Sequence, residues 1–208
     1  QNVEEKAKAL ASQSDAGTVF YSEATHKMHI SVVLGPEVPL DQAGQMLFAM
    51  MIATGDAIGA LAPPEVAVSY QLPGFILLNR GRAGVVRIAA SSSLEANNVP
   101  DWMIVTAELM INDDEKGGNA MIMSEKSGYE HTSLSEEGAG FLSRTRLVES
   151  CSRHFLAWIN RWQDDGFRPL YDAWVHRLDS TAPLAGKEGS GLEWVGFSED
   201  GFVIVEND

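Results

Sequence analysis

Two arginines and two glycines are interleaved in Asn79-Arg80-Gly81-Arg82-Ala83-Gly84. Guanidinium forks pair with carboxylate or phosphate, and glycines let backbone N–H groups approach the same anion. Gln71 and the turn Leu72-Pro73-Gly74 precede this segment, and Arg87 follows it. In that turn Pro fixes φ and Gly permits φ > 0. Residue types admit two readings, an anion-holding hairpin loop and an ordinary hairpin with solvated arginines. On types alone the ordinary hairpin is favoured. Other chemistry is sparse. His26 and His29 flank Lys27, but no acidic or Cys partner stands at ligand spacing, so no metal site is expected. Cys151 lies in a helical apolar pattern and reads as buried filler. Ser91 to Ser93, Asp113-Asp114 and Glu136-Glu137 are hydroxyls and carboxylates in polar loops, where solvation is the usual state. There is no P-loop, no G-x-S-x-G, no H-E-x-x-H and no CxxC.

The segment must be held by the strands around it. Val66 and Val68 alternate with Ala67 and Ser69, while Phe75–Leu78 and Val85, Val86 and Ile88 are compact apolar runs. Period-2 alternation and β-branching predict half-buried strands from Glu65 to Ser91. Before them come a helix over 3–12, short strands at 18–22 and 26–34, and a long helix from an Asp41 N-cap to about Ala60. After them, Trp102 to Ile111 is almost continuously apolar, as in a strand covered on both faces. The polar run 112–140 is too long for a mere connector and reads as a lid or insertion. A second long helix is predicted over Arg144 to Asp165 with Gly166 as its C-cap, then a third from Phe167 to Leu178. Their aromatic residues read as core, and His154 and His176 as surface. Residues 179–191 read as a linker, and a β hairpin over 192–206 closes the chain. Strands gathered in hairpins favour an α+β fold with a largely antiparallel or mixed sheet.

Bulk properties set limits. The chain has 208 residues, enough for one sizeable core and a small appendage. A formal charge of −14 argues against nucleic acid or an anionic membrane as partner. One cysteine fits a reducing compartment, and no apolar run approaches a membrane span, so a cytoplasmic location is expected.

The order strand, Leu72-Pro73-Gly74, strand, Arg82-Ala83-Gly84-Val85-Val86, strand resembles the core of the biotin/lipoate A/B protein ligase family. There a Lys-Trp-Pro-Asn-Asp turn is followed, after one short strand, by Lys-Leu-Ala-Gly-Ile-Leu. GPEVPL, ALAPPEVAV, VPDW and the helical end LVESCSRHFLAWINRWQDDGFRPLYDAW resemble a bacterial branch with a short uncharacterised C-terminal domain. The resemblance implies a class II aminoacyl-tRNA synthetase/biotin ligase-like catalytic domain over 1–180 and a small SH3-like β remnant over 181–208. It implies biotin or lipoate/octanoate as substrate, ATP and Mg as helpers, acyl-adenylate formation, and a biotin or lipoyl carrier domain as partner. A binding role without turnover is the alternative.

Carried over residue by residue, Arg82 takes the place of the family lysine that holds the carboxylate and acyl-adenylate. Arginine keeps the charge with different reach. Gly84 matches the motif glycine. Gln71 stands first in the turn motif and Pro73 third, while Gly74 and Phe75 replace Asn-Asp. Asn79, Arg80 and Arg87 complete the expected substrate and nucleotide contacts. Asp15-Ala16-Gly17-Thr18 stands where the family has an arginine-rich adenylate loop, and the family's strand asparagine falls at about Leu109 or Met110.

Overall fold

The computed structural model describes residues 2–91, 97–112 and 130–179 in full, and the backbone of Leu192–Phe197 and Val203–Asn207. Ser92 and Ser93, Asp113-Asp114, most of the 112–140 run and the linker after Asp179 lie outside the described residues, as do the side chains of the terminal hairpin.

Six strands form one sheet: β1 (Val19–Tyr21), β2 (Lys27–Leu34), β3 (Val68–Gln71), β4 (Phe75–Leu78), β5 (Gly81–Ala90) and β6 (Met103–Met110). Their order is β1-β2-β6-β5-β4-β3, with every neighbouring pair antiparallel. An isolated parallel bridge from Tyr70 to Leu178 adds to the β3 margin, and another joins Arg82 on the interior strand β5 to His131. The expected α+β class holds. The central strand β6 is buried along its whole length, as its apolar run predicts.

Helices α3 (Met46–Leu61), α4 (Arg144–Asp165) and α5 (Arg168–Val175) cover one face. Their core includes Met28, Ile30, Met50, Met51, Ile76, Val86, Val105, Leu109 and Leu147. The aromatic residues expected in the core do pack there: Phe48 meets Trp174 edge-on at 5.2 Å, and Tyr70 stacks on Trp174 at 6.2 Å. Cys151 is fully buried, and burial pushes its thiol up to about 11. The α4 limits match those expected. Ser143 Oγ accepts the Arg146 N–H, and Gly166 stops the helix at φ 76°.

The predicted helix 41–60 is in fact two, α2 (Leu40–Ala43) and α3, broken at Gly44-Gln45. Asp41 does not cap it. Its Oδ1 accepts from its neighbour's N–H on Gln42, and Pro39 occupies the α2 N-cap. The stretch Leu40–Leu61 has the length and hydropathy of a membrane span, but 67% of its most apolar 18-residue window is buried, as in a core helix. The third predicted helix ends at Val175, because residues 177–179 leave it to pair with β3.

The other face carries α1 (Val3–Leu10), whose Ala7, with Ala11 just beyond the helix, packs on Val33 and Ile104. Beyond that contact this face carries buried polar side chains beside a small apolar cluster of Phe75, Val85 and Met110. At the C-terminus β7 (Leu192–Phe197) and β8 (Val203–Asn207) pair antiparallel, the predicted hairpin.

Candidate functional site

Side chains alternate across a strand, so the register decides which ones share the polar face. Gln71, Phe75, Arg82 and Val85 stand there on the β3–β5 half. Lys27, His29, Ser31, Arg87, Thr106 and Glu108 stand there on the β2–β6–β5 half.

Arg82 was expected in a hairpin loop, but it lies inside β5. The loop is only Asn79-Arg80, both with positive φ (46° and 75°), which is what a two-residue hairpin turn demands. Arg82 is 2% exposed. Its Nη2 donates to Gln71 Oε1 at 2.7 Å, and its guanidinium carbon lies 3.6 Å from the centre of the Phe75 ring. Its backbone pairs with Glu130 and Thr132. Gln71, itself 2% exposed, stands beside Arg82.

The remaining predicted residues divide. Pro73 is exposed after a cis Leu72–Pro73 bond. Gly74 is buried, and a Cβ there would strike the Val86 carbonyl. Gly84 is also a packing glycine: a Cβ would lie 2.7 Å from the Glu108 carbonyl, between Leu109 and Ile76 on the helix side. Asn79 is structural, since its Oδ1 accepts from Ala67 N and its Nδ2 donates to Glu137. Arg80 is exposed in the turn. Arg87 is half-buried on the same face as Arg82: an odd spacing of five residues would put them on opposite faces, but a bulge at Ala83 shifts the alternation by one.

Around Arg87 lies a group that sequence reading missed. Glu108, 2% exposed, accepts from Lys27 Nζ at 2.8 Å and lies 3.4 Å from Arg87 Nη2. Arg87 Nε reaches Glu4 at 3.1 Å, and Glu4 pairs with Lys8 at 2.6 Å. Burial alone would raise the Glu4 carboxyl, but Lys8 and Arg87 outweigh it and hold it below 4.5. Ser31 and Thr106 share a hydrogen bond at 2.8 Å. His29 is 4% exposed, its Nε2 has no hydrogen-bond partner, and burial holds the imidazole below 6.5 against the pull of Glu108. A cavity of about 280 Å³ opens here, bounded by Ser22, Lys27, His29, Arg87 and Glu108 and by Asn2 and Val3 at the start of α1. The available signal was one carboxylate inside an otherwise apolar strand, since a buried acid requires a cation. Among the described residues no three His, Cys, Asp or Glu side chains converge as metal ligands.

The arrangement can hold a small acid: a buried guanidinium at one end of the face, and a cavity lined with cations at the other. Comparisons agree with the architecture. A biotin protein ligase-like protein of unknown function from Silicibacter sp. TM1040 superposes with a TM-score of 0.86 at 33% identity, over 100% of this chain and 87% of the other. The biotin protein ligase of Aquifex aeolicus superposes at 0.75 with 14% identity over 98% and 87%. That of Leishmania major reaches 0.58 with 14% identity over 98% and 89%. No curated protein matches the sequence. Residues 1–176 match the biotin/lipoate A/B protein ligase family, and with that span and the shared sheet the chain belongs to it.

Proposed function

We propose that this protein takes a biotin-, lipoate- or octanoate-class carboxylic acid onto the polar face of its sheet, activates it with ATP, and passes the acyl group to a lysine of a carrier domain in the cytoplasm. The observation that carries this reading is Arg82, a guanidinium buried on β5 and oriented by Gln71 and Phe75. A carboxylate oxygen attacks the α-phosphorus of ATP, the bond to the leaving oxygen breaks, and pyrophosphate departs. The carrier lysine's neutral amine then attacks the acyl carbon, AMP leaves, and the amine's proton goes to solvent. Arg82 stabilises negative charge on the adenylate, and a fixed cation costs no reorganisation at that moment. Structures of the Aquifex aeolicus ligase with biotin and ATP, and of the Leishmania major ligase with biotinyl-5-AMP, support the ligand class.

The residues do not fit a Mg²⁺ ion at the turn after β3. Gly74 and Phe75 bring no carboxylate or amide there, and Phe75 stacks on Arg82 instead. No step therefore runs through a metal. This same feature favours a second reading, in which the acid or nucleotide binds without turnover.

ATP–pyrophosphate exchange with biotin, lipoate and octanoate tests the first reading. Exchange is expected with at least one acid, and Arg82→Lys is expected to lower it about ten-fold or more, because the fork to Gln71 is lost. Arg82→Ala must be judged beside its melting temperature, since losing a charged hydrogen bond at a buried site costs about 1.5–3 kcal/mol. No exchange, yet a thermal shift with one acid, selects the second reading. Neither signal overturns both.

A further inference from the structure

The cavity near Arg87 is unlike a hydrocarbon pocket. Lys27 and Arg87 line it with Glu108 as the one carboxylate, while Glu4 and Lys8 pair with each other behind Arg87, so a surplus of one positive charge remains at the wall. Hydrogen-bond donors are also in surplus. Ammonium and guanidinium carry only donors, and both cations keep N–H groups beyond those given to Glu108 and Glu4. Ser22 Oγ accepts from Ala24 N, which leaves its O–H to donate. Asn2 Oδ1 accepts from Glu4 N, which leaves its amide N–H groups. His29 also lines the cavity, and its Nε2 is buried without a hydrogen-bond partner. The acceptors are already engaged, since Glu108 takes both cations. An alkyl tail pressed into this space would strip water from these groups and return no hydrogen bond.

We propose that this cavity recognises an anionic, acceptor-rich group at the far end of the bound acid, with His29 as a specificity residue, so that the preferred ligand is a medium-chain α,ω-dicarboxylate rather than a fatty acid. The proposal rests on the reading that the polar face binds a carboxylic acid. It adds what the other end of that acid must be. The lysine and the arginine meet the second carboxylate with the His29 imidazole beside them, and the first carboxylate lies on the Arg82 side of the same face.

Octanoate and suberate differ only in the far carboxylate, so they isolate the claim. Isothermal titration of the full chain is expected to show suberate binding at least about ten-fold tighter than octanoate. His29→Phe is expected to erase that preference, and His29→Gln, which keeps a hydrogen-bonding group, to restore part of it. Octanoate or lipoate binding as tightly as suberate overturns the proposal, as does a preference that survives in His29→Phe. If His29→Phe does not fold, Lys27→Met read against wild type decides in the same way. The two readings fail separately. Tight suberate binding without pyrophosphate exchange keeps this cavity and removes the ligase reaction. Exchange with octanoate and no gain for suberate does the reverse. No binding of any acid overturns both.

Discussion

Glu108 shows how one residue organises its surroundings. A carboxylate that is 2% exposed is tolerated because Lys27 and Arg87 converge on it, and removing one partner of such a group costs about 3–5 kcal/mol. His29 and Glu4 beside it make stability sensitive to acid. The His29 pKa is depressed below 6.5 by burial and by Lys27 and Arg87, with Glu108 and Glu4 opposing, so the unfolded chain binds the proton more readily. Its contribution is complete above pH 6.5 and is lost as pH falls below that value. Glu4, held below 4.5, adds a second loss as pH falls below 4.5. Urea midpoints at pH 7.5, 5.5 and 4 should therefore fall in two stages, and His29→Gln should flatten the first. Equal drops in wild type and variant between pH 7.5 and 5.5 would show that His29 does not titrate as described. In the sequence Glu108 was visible as an acid in an apolar strand, but its cations come from strands far along the chain, and pairing register is not written in local residue types. Arg82 was visible as a charge, while its position was obscured by flanking glycines that look like a loop. Gly84 is there because the Glu108 carbonyl leaves no room for a side chain.

Among the elements, α3 is apolar on nearly every side because the sheet, α4 and α5 enclose it. Its glycines have opposite roles. A Cβ on Gly55 would collide with the Tyr70 hydroxyl and lie 2.9 Å from Arg177 Nη1, whereas Gly59 is exposed with nothing within 4 Å. Tyr70 is raised to about 12 by burial, with Arg177 opposing, so its hydroxyl stays protonated and bonded to Arg177 at 3.0 Å. Gly55→Ala should destabilise by about 1–3 kcal/mol through overpacking. Gly59→Ala should stabilise by up to about 1 kcal/mol through helix propensity. Thermal melts of the two variants check the opposite signs. Strands and the two later helices were legible because period, caps and the Gly166 stop all agree. The break between α2 and α3 was not, since Gly44 inside an apolar helical pattern reads equally well as a packing glycine.

At the scale of the molecule, the division at about residue 180 is a proposal that truncation can test. A chain ending at Asp179 keeps Arg177 on Asp56 at 2.8 Å and on Tyr70, with both backbone bonds to Tyr70. It should melt within a few degrees of the full protein. A chain ending at Val175 loses these four bonds, about 4 kcal/mol at ~1 kcal/mol each, and should melt clearly lower. Failure of the longer truncation to fold cooperatively would make the C-terminal stretch part of the domain. The pairing at Tyr70 has another consequence. An open sheet margin offers unpaired N–H and C=O groups to any passing strand. Here the segment leaving α5 occupies one margin, with Tyr70 N donating to Arg177 O and Asp179 N to Tyr70 O, while at the other margin β1 is only three residues long. The fold thus carries its own stopper against strand-by-strand polymerisation, a covered margin on one side and a margin too short to template a partner on the other.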